Sequence, residues 1–284
     1  DILMNLADAN NRLGKLDIGA AWYRRALLMC DSLHMASTKK PPIYYGLAQV
    51  YVTMRDFEQC DYYYNLAGES YDNMLPYEKY IYLNNRGTSY YYREDYQTAI
   101  KYFQKVIDLV EGYDDMSFEL NLGRLNLGDC YLQLNMVDLA VKYINECQLF
   151  FEEMGVSTAL YYIDTQKIEL ALLQKDFQEA RRLLSESVVP PGIDPDMVHI
   201  RNKYLQQFYE ETGNYKRAYH YLQRNNLLDD SIRNERVRMR TADLTLRYQQ
   251  DSTLMAHRVL LQEQKNEVLV LRQTQFVVFA VAVV

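Results

Sequence analysis

The chain has 284 residues, 49% hydrophobic and 24% charged, which is long enough to bury a core without disulfide or metal staples. Its net charge of −7, with no dense lysine- or arginine-rich face, argues against nucleic acid as the partner of this segment and suits a basic or amphipathic peptide better. Six prolines, gathered at Pro41-Pro42, Pro76 and Pro190-Pro191 with Pro195, leave long stretches open to helix and favour an all-α fold. The four cysteines, Cys30, Cys60, Cys130 and Cys147, form no CxxC pair and are expected to be small buried residues. His34, His199, His220 and His257 stand apart from one another, so neither a metal nor another cofactor is expected.

Along the chain a small-residue anchor recurs. Gly19, Cys60, Ala99, Ala140, Ala180 and Ala218 lie 41, 39, 41, 40 and 38 residues apart. Twelve residues before each stands Ala7, Ala48, Gly87, Gly128, Ile168 or Gln206, and four residues after it Tyr23, Tyr64, Phe103, Ile144, Leu184 or Leu222. A small residue midway along a first helix lets a second helix cross closely, and the large residue fills the gap to the neighbour. Repetition at this period predicts an array of antiparallel helix pairs. The turns between the paired helices recur as well, at Gly14–Asp17, Met54–Phe57, Arg93–Tyr96, Asn135–Asp138, Gln174–Phe177 and Gly213–Tyr215. Each offers an aspartate or asparagine as the expected N-cap of the second helix.

These residues resemble the tetratricopeptide repeat family, best in Gly87-x-x-Tyr90 with Ala99-x-x-x-Phe103, supported by Ala48-x-x-Tyr51 and Gly128-x-x-Tyr131. The resemblance implies an all-α, right-handed α-α superhelix of about six helical hairpins over residues 1–225. The period of about 40 exceeds the family's 34, which lengthened helices and links account for. Asp1 already sits within a helical pattern, which reads as an excised piece of a longer chain.

From Leu228 to Gln275 there is neither Gly nor Pro, and residues 226–275 read as one long helix. Ile232, Met239 and Leu246 are spaced by seven, as are Leu254, Leu261 and Val268, with one eight-residue step between the runs. That is a coiled-coil seam with a skip, compatible with a homodimer through this helix or with a helix leaning on the last repeat as a cap. Residues 276–284 are wholly apolar and read as the start of a truncated transmembrane helix. The order of array, polar helix and apolar run is similar to bacterial membrane-anchored sensors that end in a histidine-kinase or helix-turn-helix domain. That resemblance implies a membrane-anchored protein with a periplasmic array serving as the input module of a two-component system or transcriptional regulator. The alternative is a cytoplasmic peptide-binding regulator or protein–protein assembly scaffold.

No catalytic constellation is evident. Gly123–Gly128 has P-loop glycine spacing but is followed by Asp129-Cys130 where lysine and Ser/Thr belong, and it falls on a helix. The expected role is therefore non-catalytic binding of a protein or peptide. In the tetratricopeptide family ligands lie against the concave wall of first helices. Carried across on the small-residue anchor, those positions are Tyr45, Gln49, Asn84, Thr88, Tyr91, Leu125, Asp129, Leu132, Tyr162 and Glu169. The lysine and asparagine clamp that chaperone-binding members close on a peptide carboxylate is not reproduced, so a C-terminal carboxylate is not the expected ligand.

Overall fold

The computed structural model describes residues 2–33, 35, 39–186 and 189–283, with side chains to residue 272 except that of residue 186. Among the described residues there are twelve α-helices and no strands. They pair as α1 (Ile2–Arg12) with α2 (Leu16–Ser32), α3 (Pro41–Thr53) with α4 (Phe57–Gly68), α5 (Pro76–Tyr91) with α6 (Tyr96–Val110), and α7 (Ser117–Gln133) with α8 (Val137–Met154). The last two pairs are α9 (Ser157–Leu173) with α10 (Phe177–Glu186) and α11 (Pro195–Glu211) with α12 (Tyr215–Val283). The second helix of the last hairpin and the long helix expected over 226–275 are one helix, α12, which begins at Tyr215.

The six hairpin turns share one construction. Two or three residues past the end of the first helix, a residue has positive φ in every case: Gly14, Arg55, Glu94, Asn135, Lys175 and Gly213. The next residue returns its N–H to a carbonyl five positions back, as from Asp56 to Tyr51 and from Asp95 to Tyr90 at 2.9 and 3.1 Å. This is a Schellman closure, which turns the chain through the tight angle that antiparallel packing needs. Asp56, Asp95, Asp176 and Asn214 then cap the second helix by accepting a backbone N–H three residues on. Asp17 and Asp138 do not cap. Their helices begin one residue earlier, at Leu16 and Val137, which places both carboxylates inside the first turn.

Close approach at the anchors follows the expected logic. A Cβ on Gly87 would lie 2.7 Å from Cε1 of Phe103, and one on Gly128 would lie 3.0 Å from Cγ1 of Ile144. A further device repeats in four hairpins. Tyr51–Tyr63, Tyr90–Tyr102, Tyr131–Tyr143 and Tyr209–Tyr221, each separated by twelve residues, stack with interplanar angles of 3, 14, 12 and 9°. Each stack rivets the end of a first helix to the start of its partner. All four cysteines are free and buried, as expected of small core residues.

The array closes on itself. Met239 of α12 is buried in the core formed by α1 to α4, more than 170 residues away in sequence. Around it, Arg24 of α2 donates through Nη1 to Asp243 Oδ1 at 2.7 Å and to the Tyr51 hydroxyl at 2.8 Å, while Tyr51 donates to Asp243 Oδ2 at 3.1 Å. Arg247 pairs with the same carboxylate at 3.2 Å, and Gln250 accepts from Arg24 Nε at 2.8 Å. Asp243 is 1% exposed and Arg24 9%, so both charges are held out of water and neutralise one another. A second closure is made by Asp196 at the start of α11, which pairs with Arg55 of the α3–α4 turn at 2.8 Å and with Arg236 of α12.

The long helix therefore leans on the first repeat as well as the last. Its expected dimer seam is divided: Met239 is consumed by the array, whereas Leu261 and Val268 are exposed. The side chains of the apolar run at 276–284 lie outside the described residues. Among the described residues no helix is long and apolar enough to cross a membrane.

Candidate functional site

The first helices of the hairpins line the inside of the closed array, and two adjoining cavities of about 380 and 410 Å³ occupy it. Tyr91, Asp129, Tyr162 and Gln166 border both. Of the sequence-predicted residues, Gln49, Asn84, Thr88 and Leu125 line the larger cavity only, and Glu169 the smaller only. Tyr45 packs against the first core cluster and Leu132 is buried in the core of α7 to α9; neither borders these cavities. The reason is helical phase. On α7 the inward stripe is Asn126, Asp129 and Gln133, and Leu132 is turned from it toward the neighbouring hairpin.

The chemistry concentrates where α5, α7, α9 and α11 converge. Gln133 donates through Nε2 to both oxygens of Glu169, at 3.1 and 3.3 Å. Tyr204 lies beside Glu169 and Tyr91 beside Asp129, near enough for each phenol to oppose the rise of its carboxyl. Two carboxylates thus share one shielded space, with Lys203 as the cation acting on Glu169. Burial lifts the Asp129 carboxyl to about 7, the negative charge of Glu169 adding to the rise and the bonds from Tyr91 and Gln133 opposing it. Glu169 is raised by burial as well. Tyr204 and Tyr91 are pushed far above the ordinary phenol range by burial and by the carboxylates they contact. Asp129 is half-buried by accessible area, but that area faces the interior of the closed array rather than bulk water.

Gln166, 5% exposed, gives its Nε2 to the Leu125 carbonyl at 3.1 Å and leaves Oε1 without a partner. Arg55 lies flat over the ring of Tyr92, 3.4 Å from its centroid, at the rim where Asp196 holds it. Sequence reasoning missed Gln133, Gln166, Tyr204, Tyr92 and Arg55. Gln166 and Tyr204 were discoverable, since they stand, like Asn85 and Asn126, two residues before the anchors Ile168, Gln206, Gly87 and Gly128.

Twelve helices in consecutive antiparallel pairs, wound so that the first helix of each pair faces a common interior, define an all-α helical-repeat superhelix. The tetratricopeptide repeat model matches residues 80–113, and a second tetratricopeptide repeat model matches residues 123–149. These two stretches are tetratricopeptide repeats, and repeats of this kind indicate a protein–protein interaction module. It is 26% identical over 163 residues to the anaphase-promoting complex subunit CDC16 of Saccharomyces cerevisiae, a match covering 56% of this chain and 18% of that protein. The chain therefore spans less than a fifth of the length of that curated relative. Among solved structures it is similar to BtubC (BKLC) from P. vanneervenii, at TM-score 0.53 and 14% identity over 78% of this chain and 91% of that one. It is likewise similar to Pseudomonas aeruginosa pilF, at TM-score 0.51 and 18% identity over 80% of this chain and 90% of that one. At such identities the likeness is one of fold.

Proposed function

We propose that the array is a non-catalytic module that holds a short extended segment of a protein partner inside its closed concavity. The observation that carries this reading is the pair of adjoining cavities, lined by tyrosines and by hydrogen-bonding side chains from five of the six first helices. Tyrosine gives large contact area at low entropic cost, and the amides of Gln49, Asn84 and Asn126 supply donors and acceptors for an extended backbone. Panning a random heptapeptide library on the immobilised chain tests the reading. Recovered binders should lose affinity when Tyr162→Trp fills the wall common to both cavities; binders indifferent to that change would place the binding surface elsewhere.

A second reading, the input module of a membrane-bound signal transducer, is supported by the continuity of α12. One helix touches the first repeat, the last repeat and the exposed stretch from Met255 to Leu271, so a change in array curvature would shift the helix as a lever. Fractionation of cells expressing the native gene decides it. Recovery with the membranes supports the sensor, with an extracytoplasmic array as the sequence suggests, and recovery in the soluble fraction leaves the scaffold or peptide-binding regulator.

A further inference from the structure

We infer that the smaller cavity is a receptor for one cationic side chain, a lysine or arginine of the bound segment, seated between Asp129 and Glu169. The inference rests on the peptide-binding reading and names the chemistry of its anchor. Three independent observations carry it. First, the two carboxylates come from different helices into one cavity, and neither has a direct ion pair, whereas Asp196 and Asp229 on the same cavity are paired, with Arg55 and Arg236 and with Arg233. The neutral amide of Gln133 fixes Glu169 without cancelling its charge, and the phenols of Tyr91 and Tyr204 lie beside the two carboxylates. Two like charges held together in a shielded space are unfavourable, and either a proton on Asp129 or an entering cation relieves them; a cation that displaces the proton keeps both carboxylates charged.

Second, the Oε1 of Gln166 is an acceptor with no partner on a side chain that is 95% buried and borders the same cavity. An ammonium or guanidinium carries several N–H donors and no acceptor, so it can satisfy two carboxylates and one amide oxygen at once. A carboxylate or phosphate group would find Lys203 and Arg55 as its cationic partners, and Arg55 already holds Asp196. Third, Tyr91, Tyr96 and Tyr162 line the same cavity, and the face of a tyrosine ring attracts a desolvated cation. The polarity is thus the reverse of a carboxylate clamp: the protein supplies the anions and the ligand the cation. The alkyl stem of lysine or arginine would lie along the tyrosines while its head reaches Asp129.

The same heptapeptide panning separates this inference from the reading on which it rests. Enriched peptides should share a lysine or arginine at a fixed position. For one such arginine peptide, replacing arginine by citrulline, the uncharged isostere, should weaken binding about tenfold or more by calorimetry, because a charge-assisted contact is lost. Asp129→Asn and Glu169→Gln should each weaken the arginine peptide to a similar extent and leave the citrulline peptide unchanged. Since citrulline alters the ligand alone, a failure of either variant to fold does not obscure the answer. Enriched peptides without basic residues, or arginine and citrulline peptides that bind alike, overturn the cationic anchor and leave peptide binding standing. A library that yields no binders overturns both.

Discussion

Removing the Asp243 carboxylate should open the ring. In an Asp243→Ala variant, Arg24 loses its contact at 2.7 Å, the Tyr51 hydroxyl loses its acceptor at 3.1 Å, and Arg247 loses its pair at 3.2 Å. Arg24 is 9% exposed and would remain as a buried charge whose Nη2 already lacks a partner. Removing one member of a buried pair typically costs about 3–5 kcal/mol. Met239 is the main apolar contact of α12 with the first-repeat core, and its burial contributes only about 1.5–3 kcal/mol. The cost therefore exceeds what that contact can retain, and the helix should leave α2 before the hairpins themselves unfold. Small-angle scattering should report a larger radius of gyration for Asp243→Ala with unchanged helical circular dichroism. Urea unfolding should report a lower midpoint. Arg24→Met with Asp243→Leu, which removes both charges, should restore compactness, since an apolar replacement of a buried pair is often neutral or stabilising. A single variant that stays as compact and as stable as the parent would refute the claim that this carboxylate fastens the ring.

Three other expectations follow from local geometry. Gly87→Ala places a Cβ 2.7 Å from the Phe103 ring and should destabilise by about 1–3 kcal/mol in urea titration, whereas Gly112→Ala, which meets nothing within 4 Å, should be near neutral. Glu94→Gly removes a left-handed non-glycine residue at φ 64° and should stabilise by about 0.5–1 kcal/mol, the relief of strain exceeding the added unfolded-state entropy. Asp129 titrates near 7 when folded and about 4 when unfolded, so the folded state binds the extra proton and stability falls as pH rises between those values. The groups that act on it are Glu169, Tyr91 and Gln133. Asp129→Asn should accordingly be more stable than the parent at pH 8, by up to about 4 kcal/mol, and little different at pH 4. Parallel pH–stability curves for the two proteins would show that Asp129 does not carry that proton.

The hairpins were legible because they are built from local rules. Anchors twelve residues apart, an aromatic or aliphatic plug four residues later and a cap between them recur in the sequence, and each is settled within one repeat. Asp17 and Asp138 misled because the residue that begins a helix depends on the φ of its neighbour as much as on side-chain type. The site was half legible. Asp129 and Glu169 could be named, since they follow the anchors Gly128 and Ile168 by one residue. Leu132 failed because a step from one residue after an anchor to four after it turns the side chain off the inward stripe. Closure was not legible at all: Arg24 and Asp243 are 219 residues apart, and nothing in either neighbourhood marks them as partners. The seven-residue spacing of Ile232, Met239 and Leu246 correctly announced a packed helix face, but spacing does not say whether a face meets a second copy or the same chain.

A linear repeat array has two free ends, and its stability is a sum over neighbours, so it can fray repeat by repeat. The Arg24–Asp243 closure removes that freedom here, because the last helix shields the first hairpin and the first hairpin fixes the last helix. Opening either terminus breaks contacts at both. Amide exchange in α2 and in α12 around Asp243 should then proceed at a common rate, as one cooperative unit, while unlatched variants should revert to independent, graded exchange from each end. Among the described residues the first and last hairpins are not caps on a stack but two halves of one joint.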